Sequence, residues 1–380
     1  MKVLHLINTL SAGGAELHLL NLCRHLKRQG IETVVACLRE HVKDSRSLRR
    51  DFENDGIRVV RLRADSRYDW RFLGRVARLL KSERPNILHT HLPRADIAAA
   101  LIFRQAGFPA FVCSVHGIYR ERWFGSWAAP FMRRAYRQAD AVIAISCAVK
   151  NWLGRDLGIS TDKVRIIHYG IEPERFAGPV RSKTSERRGR ATVGSIGRLE
   201  PGKGFNCLVR AMEIVCKQVP SATLRIAGHD PLGYGKTLEA LIAKLALNEH
   251  VQLIGFQSDV PSFLSDMDVF AFASRSEGFG QVIIEAMAAG KPVVASKIPP
   301  LTEIVQDSIT GLLVNPDDPQ AFANAISWLL AHPEQAGEMG RRGQERVYNH
   351  FSAQRMADET LCLYESLGSS SHYGVAGLSR

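Results

Sequence analysis

No stretch of this chain approaches the ~20 consecutive apolar residues that a membrane-spanning helix needs, although 45% of its 380 residues are hydrophobic. The opening Met1-Lys2-Val3-Leu4-His5-Leu6-Ile7-Asn8 makes a poor signal peptide. It carries one lysine, and its apolar run stops at Asn8 before any cleavage site. It reads instead as a buried first strand. The seven cysteines are scattered, odd in number and without a CxxC pair or metal-ligand spacing, which fits reduced thiols in a cytoplasmic protein. No GxGxxG fingerprint is present, nor an acidic residue on the following strand, which excludes a dehydrogenase. Zinc-finger spacing, a basic-region heptad and a helix-turn-helix pattern are also missing, so nucleic acid is not an expected partner. The net charge of +12 is left to suit an anionic membrane surface or phosphorylated small molecules.

The length suggests two domains. Short β-branched runs alternate with amphipathic helical stretches, which predicts parallel sheets covered by helices. In the first series the expected strands are 3–7, 33–38, 57–62, 86–89, 111–115, 141–145 and 164–167. A helix over 15–27 is apolar at Leu19, Leu20, Leu22, Cys23 and Leu26. The second series has expected strands at 191–196, 222–227, 251–254, 269–273 and 292–295, and helices at 205–217, 236–245, 281–289 and 319–330. Between the series, 179–190 is polar, basic and aperiodic, as a linker is. The expected fold class is α/β. A doubly wound, Rossmann-like domain spans 1–178 and a second spans 191–351. A helix over 352–367 returns toward the first domain, and the Ser- and Gly-rich tail 368–380 is disordered. Two such domains bind ligands in the cleft between the carboxyl ends of their sheets.

Three loops that follow strands carry the unusual residues. Ser11-Ala12-Gly13-Gly14-Ala15-Glu16 follows the first strand. Its glycines let backbone approach a ligand, and the next helix N-terminus favours an anion; a plain strand-to-helix turn is the alternative. Gly197-Arg198-Leu199-Glu200-Pro201-Gly202-Lys203-Gly204 opens the second series and is not a Walker A loop. Arg198 and Lys203 flank a Gly/Pro turn and can converge on a diphosphate, or they are solvated surface cations. The third and strongest is Glu277-Gly278-Phe279-Gly280-Gln281-Val282-Ile283-Ile284-Glu285. Two acceptor-only carboxylates there bracket a glycine loop and a helix start, which suits sugar and ribose hydroxyls. The backbone N–H groups of Phe279, Gly280 and Gln281 are then left for a hydroxyl or phosphate.

Together with Ser114-Val115-His116-Gly117, Tyr169-Gly170-Ile171-Glu172 and Phe176, these loops resemble the retaining family 4 glycosyltransferases (glycosyl transferases group 1), in order and spacing, from Val3 to about Leu367. The resemblance implies a GT-B fold, with an acceptor-binding first domain and a nucleotide-sugar-binding second domain. It implies that Arg198 and Lys203 hold the donor diphosphate, that Glu285 binds the ribose and Glu277 the transferred sugar. Gly14 would let the first loop meet phosphate or acceptor, and His116 would lie near the primary hydroxyl of the sugar. Phe279, Gly280, Gln281 and Val282 complete the donor-binding set. His116, Glu277, Arg198 and Lys203 are the residues expected to carry catalysis. No metal or other cofactor is expected beyond the nucleotide-diphosphate sugar. The sequence departs from the family at Tyr169 and Glu172, where Asn and Asp are usual, and at Gln281, where Leu is common. The implied activity is a metal-independent, retaining hexosyl transfer to a glycan or lipid-linked acceptor, in lipopolysaccharide or exopolysaccharide assembly. A nucleotide-sugar 2-epimerase of the same architecture and a non-catalytic binding protein are the rival readings.

Asp266-Met267-Asp268 has the form of a metal-binding DxD, but lies between a helix and a buried strand, away from the loops. His89-Thr90-His91 also suggests a metal; we expect its alternating positions to point opposite ways, with no third ligand evident, which favours packing or cleft lining. The segment 119–136 interleaves Tyr119, Trp123, Phe124, Trp127, Phe131, Met132 and Tyr136 with Arg120, Arg122, Arg133, Arg134 and Arg137. Such a mixture suits a lipid interface and predicts contact with the inner face of the plasma membrane or with a lipid-linked acceptor. A core-packed helix with a solvated basic face is the alternative.

Overall fold

The computed structural model describes residues 1–39, 46–64, 69–102, 110–119, 128–177 and 191–371. Backbone contacts divide it into two compact units, Met1–Gly170 with Ala353–Arg380, and Ile171–Ser352.

Unit 1 is a parallel seven-stranded sheet. Its strands are β1 (Lys2–Ile7), β2 (Glu32–Cys37), β3 (Arg58–Arg61), β4 (Ile87–His91), β5 (Ala110–Val115), β6 (Ala141–Ala144) and β7 (Val164–Ile166). Their order is β3-β2-β1-β4-β5-β6-β7. Helices cover parallel strands on both faces, so such strands are usually apolar throughout. β1 obeys this apart from Lys2 at its start and His5, while β4, Ile-Leu-His-Thr-His, is fully buried with three polar residues in five. The helix Ala353–Ser371 belongs to this unit. Met356, Ala357 and Tyr364 share a core with Val3, Leu22, Leu26, Ile87 and Val112, and each large apolar side chain there contributes roughly 1.5–3 kcal/mol by leaving water. The expected disordered tail is corrected at its start: with Leu367 packed on that core, the helix carries on through Gly368 to Ser371. Residues 372–380 lie outside the described residues.

Unit 2 is a parallel six-stranded sheet. Its strands are β8 (Ala191–Ile196), β9 (Ala222–Ala227), β10 (Val251–Leu253), β11 (Val269–Phe272), β12 (Val293–Ser296) and β13 (Leu312–Val314). They run in the order β10-β9-β8-β11-β12-β13. β13 has three partly buried residues, too short for its periodicity to show in the sequence. The helix Phe205–Gln218 packs Phe205, Leu208 and Met212 with Phe322, Ile326 and Leu329 of the helix Pro319–Ala331. That second helix begins where its sequence says it should. The Asp318 carboxylate accepts from the Ala321 N–H at 2.9 Å, and Pro319 follows in the first turn.

The boundary between the units falls at Gly170, not at 178 as the sequence suggested. The Ile171 N–H donates to the Phe351 carbonyl at 3.0 Å, which ties the chain after Gly170 to unit 2. The linker expected at 179–190 lies outside the described residues. Among the described residues, no helix is long and apolar enough to cross a membrane.

Candidate functional site

In unit 2 the strand order reverses between β8 and β11, the kind of position where open α/β sheets bind ligands at their carboxyl ends. The loops after these two strands carry most of the expected site residues, and the backbone holds them together. The Arg275 N–H donates to the Gly202 carbonyl at 2.9 Å, and Ser274 Oγ donates to the same oxygen at 3.3 Å. Gly204 makes the approach possible. It has φ +68, and a Cβ there would lie 2.0 Å from the Ala273 carbonyl oxygen, so no L side chain fits.

The side chains on these loops are charged and paired. Lys203 Nζ lies 2.6 Å from Glu277 Oε1, and both are largely buried. Arg198 contacts Glu200 at 3.1 Å and is half exposed. Glu285 is buried in the helix Gln281–Ala288, where it accepts from Gln281 Nε2 at 2.9 Å. Burial pushes its carboxyl up to about 7, against the opposing pull of the Gln281 hydrogen bond and the Arg175 charge. Gln281 Oε1 is buried with no hydrogen-bond partner. Gly280 precedes the helix at φ +108, and no side chain caps it. Phe279 faces inward, edge-on to Phe351 at 5.9 Å, so its side chain serves packing. Val282 lies in the first turn and is partly buried.

In unit 1, Gly13 stands in extended backbone before the helix Gly14–Arg28, which has no side-chain cap. Glu16 is buried behind this loop, with Thr9 Oγ1 3.4 Å from its carboxylate. Its carboxyl is also raised to about 7 by burial. His116 follows β5. Its Nδ1 lies 2.6 Å from Tyr169 Oη, and its Nε2 lies 3.1 Å from His91 Nδ1. Gly14 and His116 thus belong to unit 1, and every other expected site residue to unit 2.

The expectation that His89 and His91 point opposite ways was wrong. Residues two apart on a strand share a face, and their ring centroids are 4.2 Å apart. A third imidazole is present as well. Sheet register sets His5 beside His89, and His5, His89 and His91 can bring three ring nitrogens within 4.8 Å of one another. Hydrogen bonds account for all but one of the six ring nitrogens of this trio. His89 Nδ1 meets Tyr364 Oη at 2.6 Å and its Nε2 meets Ser114 Oγ at 2.8 Å. His91 uses both nitrogens on His116 and on His5 Nδ1, the last at 3.1 Å, which leaves His5 Nε2. A metal ion would have to break several of these bonds. His18 stacks on Tyr169 at 4.5 Å and sits edge-on to His116 at 5.2 Å. Burial lowers His5 and His18 to about 3. It also holds His89, His91 and His116 well below the usual imidazole range, with neighbouring rings adding to the effect. His5, His18 and Tyr364 were missed from sequence. The even spacing of His89, His91, Ser114 and His116 across neighbouring strands was the available signal.

The DxD residues serve the fold. The Thr192 N–H donates to Asp268 Oδ2 at 2.8 Å, and Asp266 lies 3.7 Å from Arg225. Asp268 also borders a cavity of about 720 Å³ beside Ala191 and Val269, which open β8 and β11, and Pro292, which precedes β12. None of the expected site residues lines it. Of the aromatic and basic segment, 120–127 lies outside the described residues. In the helix Ala128–Gln138, Met132 and Tyr136 are buried, while Phe131, Arg133, Arg134 and Arg137 are exposed.

Residues 179–346 match the glycosyl transferases group 1 family, and residues 12–175 match glycosyltransferase family 4. A GDP-mannose-dependent alpha-(1-6)-phosphatidylinositol monomannoside mannosyltransferase of Mycolicibacterium smegmatis is 33% identical over 263 residues, 65% of this chain and 68% of that protein. A lipopolysaccharide core biosynthesis glycosyltransferase of Rhizobium meliloti is 28% identical over 96% of this chain and 99% of its own length. The crystal structure of Anabaena HepE in complex with UDP superposes with a TM-score of 0.85 at 23% identity, covering 96% of this chain and 100% of that one.

Proposed function

Because the chain belongs to the group 1 glycosyltransferases and has their GT-B fold, we propose that unit 2 binds a nucleotide-diphosphate sugar at the carboxyl ends of β8 and β11, and that the enzyme transfers a hexose from it to a glycan or lipid-linked hydroxyl. The observation that carries this reading is the Lys203–Glu277 pair on the loop held against β11. An ammonium that gives up a carboxylate for a diphosphate stays compensated, and the released carboxylate is an acceptor for sugar hydroxyls. Arg198 adds a planar donor fork for phosphate oxygens. Glu285 takes the ribose, and the unpartnered Gln281 Oε1 accepts from a ligand hydroxyl.

The two cations do the electrostatic work that a metal does in other enzymes, so the transfer is metal-independent. It retains configuration. The sugar–diphosphate bond breaks as the acceptor oxygen enters from the same face, and the leaving phosphate takes the acceptor proton. The relatives named for lipopolysaccharide core and phosphatidylinositol mannoside synthesis support an acceptor on the cytoplasmic membrane face. There the exposed Phe131 and the arginines of the helix Ala128–Gln138 provide peripheral contact.

Thermal shifts of the purified protein against UDP, GDP, ADP and their sugars, with and without EDTA, test the donor site; GDP-mannose is the first sugar to try. A ligand at 100 times its Kd stabilises by about 2.7 kcal/mol. A selective shift that survives EDTA and vanishes in Arg198→Ala and Lys203→Ala is expected. No shift with any nucleotide sinks the assignment. The anomeric configuration of the product, read by NMR, tests retention, and sedimentation with anionic vesicles tests the membrane contact.

A further inference from the structure

Three rings and a phenol in unit 1 are joined in a single line of hydrogen bonds: Tyr169 Oη to His116 Nδ1 at 2.6 Å, His116 Nε2 to His91 Nδ1 at 3.1 Å, and His91 Nε2 to His5 Nδ1 at 3.1 Å. His89 lies beside this line, but its own bonds go to Tyr364 and Ser114. His18 packs against it through ring faces and edges. Burial keeps the three rings of the line neutral, so each has one N–H and one lone pair.

Two proton arrangements satisfy every link. In the first, Tyr169 donates to His116, and each ring passes an Nε2–H to the next, ending at His5 Nε2–H. In the second, every ring carries its proton on Nδ1, so that His5 donates to His91, His91 to His116, and His116 to Tyr169. Any mixture sets two N–H groups or two lone pairs face to face and loses a buried hydrogen bond. The tautomers of the three rings are therefore coupled. The end of the line chooses between them. His5 Nε2 is buried without a partner. The first arrangement fixes an unanswered N–H there, on a ring that cannot turn it elsewhere. The second leaves only an unused lone pair at His5 and releases the Tyr169 O–H, which rotates about its C–O bond toward another acceptor. Unanswered buried donors are rarer than unused lone pairs.

We propose that His91 and His5 are positioning residues that hold His116 in its Nδ1–H tautomer. A ligand oxygen that displaces Tyr169 from His116 then meets a hydrogen-bond donor, not a base. That consequence rests on the reading of His116 as a sugar neighbour; the tautomer assignment does not.

The test is a long-range proton–nitrogen correlation of the imidazole rings in ¹⁵N-labelled full-length protein, free of ligand, near pH 7.5. His5, His91 and His116 are each expected to show a pyrrole-type Nδ1 and a pyridine-type Nε2. An Nε2–H at any of the three overturns the proposal, and this measurement needs no variant to fold. His91→Asn supplies an amide N–H near the position of Nδ1 and is expected to keep His116 as it was. His91→Gln supplies one near Nε2 and is expected to shift the His116 Nε2 resonance toward the pyrrole type. Equal spectra from the two variants would mean that His91 merely fills space. No nucleotide is present, so failure here leaves the donor-site reading intact, and failure of nucleotide binding leaves this result intact.

Discussion

The two units handle polarity in opposite ways. Unit 1 buries neutral rings: His5, His89 and His91 are wholly inaccessible and bond to one another or to hydroxyls. Unit 2 carries charges on its loops, with Arg198 half exposed and the largely buried Lys203 paired to Glu277. Desolvation explains the division. A neutral imidazole can be buried at modest cost once its nitrogens are paired, whereas an ion needs water or a counter-ion. The cations proposed to hold a diphosphate accordingly keep either solvent, as Arg198 does, or a counter-ion, as Lys203 does.

Acid is the strongest way to separate the units. A buried imidazole whose folded pKa lies near 3 stays neutral in the fold and takes up a proton only on unfolding. The stability it contributes is complete above the unfolded value near 6.5 and is lost as pH falls toward 3. At pH 5 this amounts to roughly 2 kcal/mol for each such ring, and five rings in unit 1 have lowered values. Glu16 and Asp96, raised to about 7 by burial, work the other way: their destabilisation grows as pH rises from the unfolded carboxyl range to about 7, so acid relieves it. Five rings outweigh two carboxyls. In unit 2, burial raises Glu285 in the helix Gln281–Ala288, so acid favours it, while Glu338, held at about 2 by Arg341 and Arg342, is exposed and screened by solvent. Hydrogen exchange corrected for intrinsic rates is expected to show β1 and β4 deprotected at pH 5 relative to pH 7.5, with β8 and β11 unchanged or better protected. Equal loss in both units would break the contrast.

Backbone packing comes next in size. Gly204→Ala forces a Cβ to 2.0 Å from the Ala273 carbonyl at φ +68, which costs roughly 3 kcal/mol or more. A large drop in urea midpoint and loss of nucleotide-induced stabilisation are expected. Lys203→Ala leaves Glu277 buried without its ion partner and costs about 2 kcal/mol of stability. Arg198→Ala, at a half-exposed pair, costs under about 0.5 kcal/mol in the free protein. Donor affinity, read by calorimetry, is expected to fall in both variants. Stability loss in Arg198→Ala equal to that of Lys203→Ala would show that exposure does not separate the two cations.

The parallel sheets and the glycine loops were legible in the sequence because buried strands and helix starts leave local signatures. Val3–Ile7 is one continuous apolar run but for His5, and Gly204 and Gly280 stand where the backbone turns left-handed. The imidazole cluster was not legible in the same way. Its members lie far apart in the chain, and only the register of β1 against β4, with the helix Ala353–Ser371 laid across to supply Tyr364, brings them together. The Lys203–Glu277 pair was hidden for a similar reason, since it depends on β8 lying next to β11. Parity along β4 could have placed His89 and His91 on one face. The helix runs past Leu367, which packs on the core, to Ser371, and the glycine and serines there concealed its end in the sequence.

A small expected effect lies at Gln281, where the family resemblance of the sequence leads one to expect Leu. Gln281→Leu removes the 2.9 Å hydrogen bond to Glu285, a loss of roughly 0.5–1.5 kcal/mol. It also removes Oε1, a buried acceptor without a partner, whose burial carries a comparable penalty. The two effects oppose each other, so the unfolding free energy is expected to change by less than about 1 kcal/mol. The consequence falls on Glu285. Its hydrogen bond from Gln281 holds down a carboxyl that burial has already raised to about 7, so the variant carboxyl titrates higher still. A ¹³C carboxyl titration of Glu285 is expected to move upward, and nucleotide affinity to become more dependent on pH above about 7. An unmoved titration would show that burial alone sets Glu285, and would remove Gln281 from any electrostatic part in the site.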